Sequence, residues 1–316
     1  MRDGSLISVL DLSAPELEAL VDRGLQLKSR PDAGDACLRN RCVGLLFRRR
    51  STRTRTSFFW AVSRLGGRCI SFGADELQLS NGESLADTAR ALSLHLDALV
   101  VRTDGPESEL LELREAAPEM AIINALTEHE HPTQAIADLL TIKEAFGAFA
   151  GLHVLYVGLP CNTMNSLVLA LARLAGVRIT VLSPILNPLG WLQERDAALG
   201  AAREVSVVQH WTQIAAPADV VYATRWESMG RTPALADWQR VRERYYLTAA
   251  RLTSITTPRG IFMHDLPATR AGEVDDAVLD GTRSHIWSQA FNKGIAAMLA
   301  LERAVGAAKP TDDRGG

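Results

Sequence analysis

Short apolar runs alternate with stretches of helical spacing along most of the chain. The run VGLLF at 43–47 is typical of a buried strand, and the apolar residues Phe58, Ala61, Val62 and Leu65 that follow recur at the helical period. The same change recurs after further short apolar runs, which predict strands at 69–72, 98–101, 121–124, 153–158, 178–182, 204–208, 220–223 and 261–263. Such alternation favours parallel βαβ units and hence an α/β fold.

The alternation begins a second time near Gly151, after a helical stretch that starts at Pro132. We therefore predict two doubly wound domains, each with a mainly parallel sheet flanked by helices, at 1–143 and 144–284. A last apolar helix over 285–303 is expected to return to the first domain. The length of 316 residues allows two domains with substantial cores.

Composition and charge narrow the class of protein. Hydrophobic residues make up 47% and charged residues 22%, which is ordinary for a soluble globular chain. The net charge of -3 argues against a nucleic acid or an acidic membrane as the main partner. No apolar run approaches the ~18 residues of a membrane span, and the N-terminal stretch lacks a signal-peptide core. We expect a cytoplasmic protein with no membrane partner.

Five arginines lie between positions 48 and 55, interleaved with Ser51, Thr52 and Thr54, where the first strand leads into a helix. The N–H groups and positive dipole at the start of a helix favour an anion, and Arg53 can bind phosphate with its planar guanidinium. A patch for a nucleic acid is the alternative. The basic run is confined to one turn of a slightly acidic chain, which favours a small phosphate ligand.

Parallel α/β sheets bind ligands at the carboxyl ends of their strands. Ser51, Arg102 and the segment after Asn124 all lie at such ends. His131 and Gln134 are three residues apart at the start of a helix that Pro132 favours, so both point toward one place. We therefore expect these residues to converge on one ligand.

Several other interpretations of the sequence are weaker. His131 could only cap its helix, or His129 and His131 could bind a metal, but no third ligand is suitably spaced. The four cysteines show no CxxC spacing, so neither a zinc site nor a disulfide framework is indicated. The loop GLPCNTMNS at 158–166 lacks the GxGxxG of a dinucleotide-binding dehydrogenase.

The motifs STRTR at 51–55, LGG at 65–67 and HPTQ at 131–134 followed by AIADLL resemble the signatures of the aspartate/ornithine carbamoyltransferase family. The similarity covers nearly the whole chain and is closer to the ornithine branch. It implies transfer of a carbamoyl group from carbamoyl phosphate to a small amino-group acceptor, with no cofactor or metal, in a homotrimer or a multiple of trimers. The carbamoyl-phosphate-binding residues that it implies are Ser51, Thr52, Arg53, Thr54, Gln78, Arg102, His131, Gln134, Asp265, Leu266 and Lys293.

The chemistry of the reaction agrees with this set. Attack of an amine on carbamoyl phosphate places negative charge on the carbonyl oxygen while phosphate leaves, and fixed donors stabilise that charge. We assign Arg53 and the helix start to the phosphate, and Thr54, Arg102 and His131 to the carbonyl oxygen. The catalytic candidates are Arg102, His131 and Asp265. The resemblance also implies that Gln78 is lent by a neighbouring subunit.

The acceptor residues implied by the resemblance depart from the ornithine pattern. Asn162 matches an asparagine that holds the amino-acid carboxylate, and Ser228-Met229-Gly230 matches the Ser-Met-Gly of the ornithine branch. Thr224 stands where that branch has an aspartate for the substrate amino group, and Thr224-Arg225 is similar to the Thr-Arg of the aspartate branch.

Two more positions differ. Asp265 replaces the cysteine of the ornithine branch's His-Cys-Leu-Pro, and Lys293 replaces the usual arginine after Asn292. These changes favour an amino-acid-like acceptor other than ornithine, with Arg225 attracting an acceptor carboxylate. One alternative is an ornithine carbamoyltransferase making citrulline, in which Asp265 supplies the missing carboxylate. A second is a non-catalytic ligand-binding paralogue, against which the intact donor-side residues argue.

Overall fold

A computed structural model describes residues 4–29, 36–73, 76–196, 204–227 and 235–306. The chain divides into two compact units. Unit 1 comprises Met1–Asp11, Asp22–Thr133 and Lys293–Gly316, and unit 2 comprises Leu12–Val21 and Gln134–Asn292. The last helix of the chain therefore supplies residues to unit 1 from Lys293 onward.

Unit 1 contains a parallel sheet with the strand order β2-β1-β3-β4. Its strands are β1 (Cys42–Phe47), β2 (Arg68–Phe72), β3 (Ala98–Arg102) and β4 (Ala121–Leu126). The helices between them are α2 (Arg53–Arg64), α3 (Leu85–Ser93) and α4 (Glu107–Ala116). The strand β4 is buried along its whole length, as parallel strands covered on both faces are.

The core of unit 1 forms where the central strands meet the helices that cover them. Leu99 and Val101 of β3 and Ile122 of β4 pack with Leu110 and Leu113 of α4 in one buried cluster. Burying one such side chain stabilises the fold by about 1.5–3 kcal/mol. This cluster holds in place the strand ends that carry the polar residues described below.

Unit 2 contains a parallel sheet with the strand order β7-β6-β5-β8-β9. Its strands are β5 (His153–Val157), β6 (Arg178–Leu182), β7 (Val205–Val208), β8 (Ala218–Ala223) and β9 (Thr256–His264). The other α-helices that the model describes are α1 (Ala14–Ser29), α5 (Pro132–Phe146), α6 (Asn162–Arg173), α7 (Gly190–Arg195), α8 (Trp238–Arg244), α9 (Ala249–Ile255), α10 (Asp276–Leu279) and α11 (Ile286–Gly306).

The predicted fold class is confirmed, since each unit has a parallel sheet flanked by helices. A capping box forms at the start of α1, where the Ser13 backbone N–H donates to Glu16 Oε2 at 2.9 Å and the Glu16 N–H donates back to Ser13 Oγ at 3.4 Å. No helix among the residues that the model describes is long and apolar enough to cross a membrane.

Several boundaries differ from the apolar pattern. Helix α2 begins at Arg53, before its first buried apolar residue Phe58, because its first turn is polar and carries no apolar signal. Strand β9 begins at Thr256, although Thr256–Gly260 carries no apolar run. Helices α8 and α9 escaped prediction because each is seven residues long and buries few large side chains, chiefly Trp238 and Leu252.

Candidate active site

In unit 1 the predicted donor-side residues lie at the carboxyl ends of neighbouring strands. Ser51 follows β1, Arg102 ends β3 and His131 follows β4, and these three strands are adjacent in the sheet. Arg102 pairs in register with Phe47 of β1 and with Leu126 of β4. The expected convergence of these segments at one edge of the sheet is therefore what the topology produces.

The start of α2 retains the features of an anion site. Thr52 occupies the N-cap position, but its side chain makes no capping hydrogen bond to the helix. The first N–H groups of an α-helix have no partner within it, so those of the first turn remain directed outward at its positive end. Ser51 and Arg53 are half-buried beside them. This arrangement suits a phosphate, which accepts several N–H and guanidinium donors at once.

Arg102 and Thr54 are in contact within unit 1. The Arg102 guanidinium donates a hydrogen bond from Nη1 to Thr54 Oγ1 at 3.3 Å, and Thr54 is buried on the first turn of α2. The strand end and the helix start are thus linked through two of the predicted residues. A cation and a hydroxyl placed side by side can both donate to one oxygen that gains negative charge.

His131 is 3% exposed. Burial, followed by the positive charges of Lys293 and then Arg102, lowers the pKa of His131 well below 6.5. The imidazole is therefore neutral at pH 7, with Nδ1 lying 3.3 Å from Thr133 Oγ1. A neutral imidazole in a positive environment can donate an N–H to a carbonyl oxygen without bringing a further charge.

Lys293 belongs to this group as well, because it is buried on α11 and its positive charge contributes to the lowered pKa of His131.

Gln78 does not join these residues within the part of the chain that the model describes. It lies exposed on a 3₁₀ turn at Gln78–Asn81, where its Oε1 accepts a hydrogen bond from Asn81 Nδ2 at 2.6 Å. Its assignment to a neighbouring subunit's site stays a prediction.

In unit 2 the predicted acceptor residues also follow neighbouring strands. Asn162 begins α6 after β5, Thr224 follows β8 and Asp265 follows β9, and the sheet places β5, β8 and β9 side by side. Asn162 and Thr224 are buried. Three polar side chains from distant parts of the sequence therefore gather at one edge of this sheet.

Asp265 is held by two threonine hydroxyls. Thr224 Oγ1 donates to Asp265 Oδ1 and Thr163 Oγ1 donates to Asp265 Oδ2, both at 2.9 Å. The Asp265 side chain keeps 18% of its surface exposed. Because both of its oxygens accept a hydroxyl hydrogen bond, the carboxyl group is held in place, and its exposed surface leaves it accessible to a small amine. Thr163 was not predicted, although its place beside Asn162 on the first turn of α6 was a signal.

The negative charge of Asp265 also affects the thiol of Cys161. Burial, with a further contribution from Asp265, raises the pKa of Cys161 above its ordinary value of 9.0. Cys161 therefore stays protonated at pH 7 and serves the start of α6, where its Sγ accepts from the Met164 N–H at 3.4 Å. Asp265 is accordingly the better candidate for binding a cationic amine.

The loop after β9 makes a hydrogen bond to His264, which in turn lies close to Glu273. Leu266 has a positive φ of 53° and the Leu266–Pro267 peptide bond is cis. The Leu266 N–H donates to His264 Nδ1 at 2.9 Å, so the ring proton is on Nε2, which lies 3.6 Å from Glu273 Oε1. Glu273 was not apparent from the sequence, because nothing in its spacing connects it with His264.

Gln134 lies on the first turn of α5, where its Nε2 donates to Asp138 Oδ1 at 2.8 Å.

Arg225 lies 3.6 Å from Glu227, and both side chains are 39% exposed. Glu227 therefore offsets the positive charge that Arg225 was expected to offer to an acceptor. The predicted acceptor residues Ser228 and Met229 lie outside the described residues.

The alternative metal pair at positions 129 and 131 has no support in the described residues. His129 Nε2 lies 2.7 Å from Glu128 Oε1 on the surface, whereas His131 is buried. No group of three or more histidine, cysteine, aspartate or glutamate side chains suited to a metal occurs among the residues that the model describes.

Comparison with known proteins gives consistent matches over both units. The family model for the carbamoyl-P binding domain of aspartate/ornithine carbamoyltransferase matches residues 4–144, and that for the Asp/Orn binding domain matches 150–302. An ornithine carbamoyltransferase from Thermosynechococcus vestitus is 40% identical over 295 residues, covering 93% of each chain. One from Hyperthermus butylicus is 39% identical, covering 94% of this chain and 96% of that protein.

Solved structures agree with these matches. Ornithine carbamoyltransferase from Pyrococcus furiosus superposes with a TM-score of 0.86 at 31% identity, covering 96% of this chain and 98% of that one. Aspartate transcarbamoylase from Trypanosoma cruzi has a TM-score of 0.82 at 27% identity, covering 94% of each chain. Because the two family models together match residues 4–144 and 150–302, the chain belongs to the aspartate/ornithine carbamoyltransferase family of enzymes.

Proposed function

We propose that this enzyme transfers the carbamoyl group of carbamoyl phosphate to the side-chain amino group of ornithine, forming citrulline and phosphate. The observation that carries the choice of acceptor is the Asp265 carboxylate, held between Thr163 and Thr224. The ornithine pattern places a carboxylate at position 224, and here a carboxylate lies within hydrogen-bond distance of the hydroxyl at that position. The names of the relatives described above also favour ornithine over the altered acceptor predicted from the sequence.

On the donor side, Arg53 and the first turn of α2 bind the phosphate group. Thr54, Arg102 and the neutral His131 donate to the carbonyl oxygen as it gains negative charge. One such donor typically contributes about 3 kcal/mol to transition-state stabilisation. Burial, and after it the positive charge of Lys293, lowers the pKa of His131 and keeps its imidazole neutral.

On the acceptor side, Asn162 binds the α-carboxylate of the amino acid and Asp265 orients its side-chain amine. The amine nitrogen forms a bond to the carbonyl carbon, the bond from that carbon to the phosphate oxygen breaks, and phosphate leaves with the electron pair. Asp265 takes up the proton that the nitrogen loses as the new bond forms. The proposed assembly is a homotrimer in which Gln78 reaches the site of a neighbouring subunit.

A second candidate acceptor is a different amino acid, because Thr224 offers a neutral hydroxyl where the ornithine pattern has an aspartate. Phosphate release from carbamoyl phosphate, measured with ornithine and a panel of other amino acids and diamines, distinguishes the candidates. We expect the highest kcat/KM with ornithine. A higher value with another amine selects the second candidate, and tight carbamoyl-phosphate binding without turnover of any amine indicates a non-catalytic paralogue.

A further inference from the structure

Asp138 lies on α5 in unit 2 and is fully buried. Its Oδ1 accepts hydrogen bonds from Gln134 Nε2 at 2.8 Å and from Gln289 Nε2 at 2.7 Å. Its Oδ2 accepts a hydrogen bond from the Tyr222 hydroxyl at 3.2 Å. Burial, followed by the charge of Asp138, raises the pKa of Tyr222 well above 10.0, so this hydroxyl keeps its proton and remains a donor.

The contact with Asp138 fixes which end of the Gln134 amide points away from Asp138. A glutamine amide has one donor end and one acceptor end, and an ionised carboxylate only accepts. With Nε2 bound to Asp138, the Oε1 of Gln134 is the end of the amide that points away from Asp138. Turning the amide over would place Oε1 against the Asp138 carboxylate and replace a charge-assisted hydrogen bond with repulsion.

The same carboxylate oxygen fixes a second amide in the same way. Gln289 directs Nε2 at Asp138 and at the Tyr222 hydroxyl, 3.1 Å away, so its Oε1 faces the opposite direction. That oxygen accepts the backbone N–H of His264 at 2.9 Å. His264 is the residue before Asp265, so the support of the acceptor loop and the orientation of Gln134 depend on one buried side chain.

We propose that Asp138 is a positioning residue that makes Gln134 a hydrogen-bond acceptor for the NH₂ group of the carbamoyl donor. Asp138 thereby gives the enzyme its preference for a carbamoyl phosphate over an acyl phosphate that has a methyl group in place of that NH₂. This inference rests on the donor chemistry of the proposed function and is independent of which amine accepts the carbamoyl group. Sites that hydrogen-bond an NH₂ reject an analogue lacking it because their own polar group is left unpaired.

The test is the ratio of the dissociation constants of acetyl phosphate and carbamoyl phosphate, measured by calorimetry with no acceptor present. The two donors share the phosphate, so changes at the phosphate site cancel in the ratio. We expect the parent to prefer carbamoyl phosphate by about tenfold or more, as the loss of one hydrogen bond to a buried site predicts. Asp138→Leu is expected to remove most of that preference.

Two matched variants separate orientation from packing. Asp138→Asn keeps an oxygen that can accept from Gln134, and should retain most of the preference. Tyr222→Phe removes the donor to Oδ2 while leaving the bond between Gln134 and Oδ1, and should leave the ratio within about twofold of the parent. Circular-dichroism melting establishes that each variant is folded.

A smaller substitution decides the matter if Asp138→Leu fails to fold. Asp138→Ala removes the carboxylate without adding volume, so the Gln134 amide is no longer held with Nε2 toward position 138. The preference for carbamoyl phosphate should fall as it does in Asp138→Leu.

An unchanged ratio in folded Asp138→Leu or in folded Asp138→Ala overturns the role of Asp138. A parent that binds neither donor refutes the proposed function instead. A parent that binds carbamoyl phosphate without preferring it over acetyl phosphate overturns the inference about Asp138 alone.

Discussion

The Thr224 hydroxyl donates a hydrogen bond to the Asp265 carboxylate at 2.9 Å. These are the two positions at which the acceptor side of the sequence departs most from the ornithine pattern, and they are 41 residues apart in the chain. Their contact means that the two differences lie at one place in the site. The ornithine pattern has its carboxylate at position 224, after β8, whereas here the carboxylate is at position 265, after β9, and position 224 carries a hydroxyl.

Replacing the carboxylate itself is the direct test of this site. Asp265→Asn keeps the volume and one acceptor oxygen but removes the negative charge, so we expect kcat to fall by about 10² or more, as for loss of a general base. Thr163→Val, which removes one hydroxyl donor and keeps Asp265, should cost much less. Near-parental kinetics for Asp265→Asn between pH 6 and 9 would remove Asp265 from the reaction.

The contact also revises what Thr224→Asp alone should do. From the sequence, this change was expected to shift preference toward ornithine, but at 2.9 Å it places a second carboxylate against Asp265. Two such groups cannot both ionise easily, so the single variant should lose activity. Combining it with Asp265→Cys restores the ornithine pattern and should recover turnover with ornithine. If the double variant turns over ornithine no faster than Thr224→Asp alone, the carboxylate at position 265 does not substitute for the one that the ornithine pattern has at position 224.

Arg53→Ala should abolish carbamoyl-phosphate binding and leave the fold intact, because Arg53 begins α2 and is only half-buried. Arg64→Ala is the matched control, since Arg64 ends the same helix and its removal changes the net charge equally. Calorimetry should show parental binding for Arg64→Ala, with melting temperatures close to the parent for both. Parental binding by Arg53→Ala would place the phosphate elsewhere.

His131→Ala should lower kcat more than it weakens donor binding, because its hydrogen bond strengthens as charge develops on the carbonyl oxygen. The lowered pKa also makes a prediction for stability. Below pH 6.5 the unfolded chain binds a proton at this histidine that the folded chain does not, so unfolding becomes easier as the pH falls below 6.5.

Urea unfolding of the parent and of His131→Gln measures this difference. The parent should lose stability relative to the variant as the pH is lowered from 7 toward 5, whereas between pH 7 and 8 their difference should be constant. An opposite slope would mean that the folded protein binds the proton at His131.

Mixing two inactive variants tests the proposed shared site. Trimers that combine Gln78→Ala subunits with Arg53→Ala subunits contain some sites in which neither change is present, so activity should return. Each variant re-mixed with itself is the control for the exchange procedure. No recovery after subunit exchange is verified by mass spectrometry would indicate that each subunit supplies its own Gln78.

The local pattern of apolar residues was sufficient to predict the helices and strands that bury a continuous apolar stripe. Strands such as 178–182 and helix α5 were predicted because burial requires the period of the element to match the spacing of its apolar residues. The edge segment Thr256–Gly260 was missed for the same reason, since it has no apolar run of its own.

For the site, the sequence by itself determined which residue types stand at the strand ends. It therefore suggested the proposed roles of Arg53 toward the phosphate and of Arg102 and His131 toward the carbonyl oxygen. Only the tertiary structure decided which distant residues share a carboxylate. Thr163 and Thr224 meet at Asp265 because β5, β8 and β9 are neighbours in the sheet, and Gln134, Gln289 and Tyr222 meet at Asp138. Hydrogen bonds act over about 3 Å of space, and sequence separation does not record that distance.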